Sequence, residues 1–159
     1  MVKTRGGDRL EAELERIERE MKQATVRVGF LENATYPDGT QVAEVAAANE
    51  YGHRIGAAPE AGAKDDRLSV PPRPFFRNMI AKKKSGWPKA LARLLRTSGY
   101  NTEYALLQAG EGIAGQLRQS ISELKSPPLK QSTIDRKGFS KPLIDTGHML
   151  NSVDYEVKT

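Results

Sequence analysis

Thr25-Val26-Arg27-Val28-Gly29-Phe30-Leu31 is the stretch on which the fold turns. Val26, Val28 and Phe30 fall at every second position, the period of a half-buried strand, and the β-branched content suits one. The residues before it keep a different rhythm. Leu10, Leu14, Ile17 and Met21 recur every three or four positions, which predicts a helix over 8–23, with Asp8 as cap and Glu11 as its capping-box partner. Glu11, Glu15, Arg16, Glu18 and Arg19 make a solvated charge lattice on the other side. A four-residue apolar stripe is expected to pack on the protein's own sheet, with an oligomer seam as the alternative.

Downstream of the strand, Tyr36-Pro37-Asp38-Gly39-Thr40 is a turn, because Pro presets φ and Gly accepts a positive one. Helical spacing returns from Gln41 to Tyr51 through Val42, Val45, Ala46 and Asn49, and Gly52 is placed to end that helix. Residues 53–70 have no periodicity and are rich in Gly, Ala and charge, so a long loop, flexible or ordered by a partner, is expected. Pro71-Pro72-Arg73-Pro74 then holds the backbone extended. A helical stretch opens at Phe75, with Phe76, Met79 and Ile80, and runs into Lys82-Lys83-Lys84 before Gly86-Trp87-Pro88 interrupts it.

Leu91, Leu94 and Leu95 mark another helix, stopped at Gly99. The longest one covers 102–124 through Leu106, Ala109, Ile113, Leu117, Ile121 and Leu124. Gly110, Gly112 and Gly115 lie inside it, each at about 1 kcal/mol relative to Ala, for which close approach of another backbone is the expected compensation. Ser126-Pro127-Pro128 breaks it. A short helix or turn should span Leu129 to Lys137 and end at Gly138. Asp145-Thr146 then caps a turn from Gly147 to Ser152, and Val153-Asp154-Tyr155-Glu156-Val157 alternates as a strand that should lie against Val26 to Phe30.

The 159 residues suffice for one modest core, so a single domain over 1–159 is expected. No apolar run approaches the roughly 20 residues of a membrane span, and no membrane role is expected. The segment Met1 to Asp8 has positive charge but no apolar stretch behind it, so no secretion signal is expected. The absence of cysteine removes disulfides, thiol nucleophiles and Cys-ligated zinc. A net charge of +5 permits attraction to DNA or to an acidic protein surface without demanding either.

Catalysis needs a poised acid, base or nucleophile oriented by a second group. His53 and His148 lie far apart in sequence with no metal-ligand spacing around either, and read as surface or turn residues. Asp65-Asp66 sits in the long loop, where adjacency fixes no useful geometry. Gly110-x-Gly112-x-x-Gly115 matches a dinucleotide fingerprint in letters only, since it falls inside a helix and not at a strand-to-helix turn. No enzyme, cofactor, metal or small-molecule substrate is expected. Lys82, Lys83 and Lys84, followed by Lys89, Arg93 and Arg96, form the most basic region; a DNA backbone would suit it, although such runs are usually solvated helix faces. Trp87, between Gly86 and Pro88, is expected to plug a helix–helix corner and not to stack on a base.

Several segments together resemble a known family. Val26-x-Val28-Gly29-Phe30-Leu31, Tyr36-Pro37-Asp38-Gly39-Thr40, Val42-Ala43-Glu44-Val45-Ala46, Asn49-Glu50-Tyr51-Gly52 and Pro71-Pro72-Arg73-Pro74-Phe75-Phe76-Arg77 resemble, in order and spacing, the phage tail-completion and neck (head-tail joining) proteins of the HK97 gene-10-like family. Pro128-Leu129, Ser132-Thr133-Ile134, Arg136-Lys137-Gly138 and Lys141-Pro142-Leu143-Ile144-Asp145-Thr146-Gly147-x-Met149-Leu150-x-Ser152-Val153 are similar to the ending shared with Mu-like virion morphogenesis proteins.

The likeness runs from residue 26 to 157 and departs from the family in the longer 53–70 loop. It implies an α+β fold, with a small, mainly antiparallel sheet flanked by several helices. It also implies a structural subunit of the virion head-tail junction, made in the host bacterial cytoplasm and assembled as a homo-oligomeric ring, a hexamer by that likeness. Other neck and tail proteins would be its partners, with DNA passing through the channel. A tail terminator capping the tube and a DNA-binding accessory protein are the alternatives. Assembly contacts are expected at Tyr51, His53, Arg54, Pro72, Arg73 and Phe75, and a DNA-facing surface at Lys82, Lys83 and Lys84.

Overall fold

The two alternating stretches at opposite ends of the chain are hydrogen-bonded neighbours. In the structure, a computed structural model that describes residues 6–54 and 69–159, β1 (Thr25–Phe30) pairs antiparallel with β4 (Val153–Lys158). Val28 stands opposite Tyr155 and Phe30 opposite Val153, while Arg27 meets its partner Glu156 at 3.2 Å on the outer face. The sheet component is therefore small and antiparallel, as expected. A second two-stranded ladder joins β2 (His53–Arg54) to β3 (Ser69–Val70), so both ends of the expected 53–70 loop are strand. Its interior, 55–68, with Asp65 and Asp66, lies outside the described residues.

Helices α2 (Val42–Tyr51), α3 (Phe75–Lys83), α4 (Trp87–Thr97), α5 (Thr102–Glu123) and α7 (His148–Asn151) pack over this scaffold around one core, and the short α6 (Gln131–Lys137) has no buried residue. The α+β class follows. Val42 and Ala46 of α2, Phe75 and Met79 of α3, Ala114, Leu117 and Ile121 of α5, Met149 of α7 and Val153 of β4 form the centre, joined by Leu143. Phe30 meets Phe75 edge-on at 6.4 Å. The cluster joins segments distant in sequence, and burying each of its Val, Leu, Ile, Phe and Met side chains contributes about 1.5–3 kcal/mol.

Helix α5 is the spine. Asn101 caps it by accepting from the Tyr104 amide at 2.9 Å. Ser120 donates to the Phe75 carbonyl at 2.7 Å, and Arg118 to the Val153 carbonyl at 2.8 Å, so α5 is tied to both α3 and β4. Trp87 donates to the Gln116 side chain at 2.9 Å and fills the α4–α5 corner, as its Gly-Trp-Pro setting predicts. A short 3₁₀ turn, Lys84–Gly86, links α3 to α4, and Pro88 sits in the first turn of α4 where no helical donor is lost.

The glycines of α5 meet no close backbone of another element, contrary to expectation. A Cβ on Gly110 would lie 2.5 Å from Cδ2 of Tyr155, so the neighbour that excludes a side chain is an aromatic ring of β4, not a backbone. Gly112 and Gly115 face open space, and nothing in the structure explains them.

The N-terminal helix α1 (Gly7–Gln23) departs furthest from expectation. Gly6 occupies its cap position with no side-chain bond, so the Asp8–Glu11 capping box does not form. None of its residues is buried. Ile17 and Met21 are half-buried, but Leu10 is 63% and Leu14 54% exposed, and every residue from Gly6 to Glu15 is exposed. The stripe does not pack on the sheet. Only the last turns of α1 lean on the body, and ion pairs Arg16–Glu13, Arg16–Glu20 and Lys22–Glu18 at 2.5–2.6 Å stitch its polar side.

Candidate assembly surfaces

Glu50 falls two turns after Val42 and one after Ala46, which puts a carboxylate on the buried face of α2. A buried charge needs partners. The first turn of α3 supplies them: the amides of Phe76 and Arg77 donate at 2.9 and 3.1 Å, and Nε of Arg77 at 2.8 Å. Arg77 also reaches the Glu50 carbonyl at 3.2 Å and lies over the Tyr51 ring at 4.8 Å. One carboxylate therefore caps α3 and fixes the angle between two helices.

The segment between these helices is closed at its base. Gly52 has φ +75°, and a Cβ there would lie 2.7 Å from the Val70 carbonyl and 2.9 Å from the Pro72 nitrogen. The Arg73 amide donates to the Asn49 carbonyl at 2.7 Å, and its side chain passes inward to the Pro127 carbonyl at 3.3 Å. Burial lowers the Arg73 pKa from its ordinary value. Together with the β2–β3 ladder, these contacts pin both ends of 53–70.

Of the expected contact residues, Tyr51, His53, Arg54 and Pro72 are exposed around this base. Arg73 and Phe75 are not available. Arg73 is 5% exposed, and Phe75, at 1%, is among the most deeply buried side chains of the core. The extended Pro-rich arm turns into α3 at Phe75, and the Glu50 cap directs that first turn inward, which converts two expected outer contacts into interior ones.

A separate cleft of about 710 Å³ lies between the Tyr36–Thr40 turn and the C-terminal Asp145–Asn151 segment. His148 bonds the Thr35 carbonyl through Nε2 at 2.8 Å and its ring lies 4.7 Å from that of Tyr36. Burial, with Asp145 and Asp38 nearby, raises the Tyr36 pKa and keeps its phenol protonated. The Thr40 amide holds the Asp38 carboxylate below its usual range. The imidazole and the turn are engaged in structural bonds that join two motifs. Among the described residues no group of three or more His, Asp or Glu side chains could hold a metal, and no helix is long and apolar enough to cross a membrane.

Lys82, Lys83 and Lys84 are exposed, as are Lys89, Arg93 and Arg96 on the outer side of α4. No Asp or Glu occurs between Asp66 and Glu103. Arg77 pairs with Glu50, whereas none of these six cations has an ion-pair partner among the described residues. The basic run is visible in the sequence, whereas the only sign of Glu50's role is an acid on the apolar stripe of α2. Nothing in the α1 stripe signals that Leu10 and Leu14 are uncovered. No family model, curated protein or solved structure matches the chain.

Proposed function

We propose that the chain is a structural subunit of a tailed-phage virion, acting at the head-tail junction as a tail-completion or neck protein that assembles into a ring. The observation that carries this reading is that the motifs of the resemblance hold one another directly. Glu50 of the first helical motif caps the Pro-Pro-Arg-Pro-Phe-Phe-Arg segment, Arg73 of that segment bonds Pro127 at the edge of the C-terminal motif, and His148 of that motif bonds Thr35 beside the turn. Segments that form one interlocked unit are more informative together than as short matches. The exposed Tyr51, His53, Arg54 and Pro72 surround the β2–β3 ladder and form a surface suited to meeting a neighbour.

Removing the protein from a phage that encodes it tests the proposal. Filled heads and finished tails should accumulate unjoined, and complementation should restore infectious particles. Normal particles without the protein would overturn it.

A second reading, a DNA-binding accessory protein, is favoured by the acid-free run between Asp66 and Glu103. Salt-sensitive duplex binding that disappears in the Lys82→Ala, Lys83→Ala, Lys84→Ala variant would support it, and no binding at low salt would remove it.

A further inference from the structure

From the position of α1 and the charge on α4 we infer that the projecting half of α1 docks on the α4 face of a second copy of this chain. The inference extends the ring-forming reading and names the contact. Residues 7–15 are about 13 Å of helix at 1.5 Å per residue, and every one of them is exposed among the described residues. So short a helix is marginal in water by itself. Leu10 and Leu14 lie one turn apart on one side, and an exposed pair of this kind is covered at low cost by a complementary surface.

Charge selects the surface. On the helix, Glu11 and Glu15 each follow a leucine by one position, about 100° around the axis, so they line one edge of the leucine pair, and neither has an ion-pair partner among the described residues. On α4, Lys89, Arg93 and Arg96 stand at spacings of four and three residues on one outer face, also without ion-pair partners. Between them, Gly86 and Ala90 form a floor with no side-chain bulk in a shallow cleft of about 250 Å³. Leucines from α1 meet that floor while its glutamates meet the cationic rim.

The two surfaces differ, so the contact is head-to-tail. Repeated contacts of this type close into a ring or extend as a filament, and do not stop at a two-fold dimer. The same cations cannot serve DNA and the neighbour's α1 at once, which makes nucleic acid the competing occupant.

Sedimentation of the full chain across about 1 to 100 µM tests the contact, since self-association depends on concentration. Leu10→Ser with Leu14→Ser should weaken association about tenfold or more, with helix content of the body unchanged by circular dichroism. Glu11→Lys with Glu15→Lys should weaken it similarly at low salt, and adding Lys89→Glu with Arg93→Glu should recover most of the loss. A monomer throughout, or an oligomer indifferent to all these changes, overturns the inference. So does loss of duplex binding in Lys89→Glu with Arg93→Glu while assembly is unaltered. The virion role is judged separately by particle content: a protein present in particles whose rings ignore Leu10 and Leu14 sinks this contact alone, and the contact without incorporation sinks the virion role alone.

Discussion

Both carboxylate oxygens of Glu50 accept from the first turn of α3, Oε2 from the Phe76 amide at 2.9 Å and Oε1 from the Arg77 amide at 3.1 Å. The last turn of one helix is thus the cap of the next. Glu50→Ala should destabilise the protein by about 2–4 kcal/mol, because two helix-end donors and the Arg77 side chain lose their acceptor at a buried position. Glu50→Gln, which keeps one acceptor oxygen, should cost roughly half as much. Urea unfolding of the two variants measures both, and equal stability to the parent would contradict the cap.

The α5 glycines should separate into two classes. Gly110→Ala pushes a methyl group into the Tyr155 ring, so it should destabilise by about 1–3 kcal/mol despite better helix propensity. Gly112→Ala and Gly115→Ala face open space and should each stabilise by about 0.5–1 kcal/mol. Thermal unfolding of the three single variants distinguishes the cases. Equal effects at all three positions would refute the packing described for β4 on α5.

Gly52→Ala should be worse than either. Its positive φ and the Val70 and Pro72 backbone atoms within 3 Å leave no room for a Cβ, so a loss of about 2–4 kcal/mol is expected. Amide exchange should accelerate at the β2–β3 ladder before it does in α5. Retained protection at Arg54 would show that the loop base does not depend on this glycine.

Helix α1 should respond to acid. Hydrogen bonding to Arg16 lowers the Glu13 pKa, and bonding to Lys22 lowers that of Glu18. A carboxylate depressed in the folded state contributes stability above its unfolded pKa and loses it as pH falls through the folded value. Backbone chemical shifts of α1 should therefore be constant near neutrality and move toward coil below about pH 4. Unchanged α1 shifts through that range would mean the ion pairs do not support the helix.

Much of this architecture was legible in the residues. The period-two runs at Val26 to Phe30 and Val153 to Val157 mark both long strands and Gly138 marks the end of α6, whereas Gly147, not Asp145 or Thr146, takes the cap position of α7, with Thr146 accepting from the His148 amide at 3.3 Å. Periodicity, however, records which side of a helix is apolar and not what covers it, so the Leu10–Met21 stripe predicts core packing that it reaches only at Ile17 and Met21. Arg73 and Phe75 looked like outward contacts because a linear Pro-rich arm gives no sign that Glu50, far upstream, turns its end inward. Gly110 differs from Gly112 and Gly115 only through Tyr155, a neighbour invisible in the local sequence.

A reconstruction of the phage particle that localises this chain tests the central proposal most directly. A single ring of copies should lie between the portal end of the head and the first ring of the tail tube. Purified particles that join head to tail without this chain, or that carry it elsewhere, would contradict it.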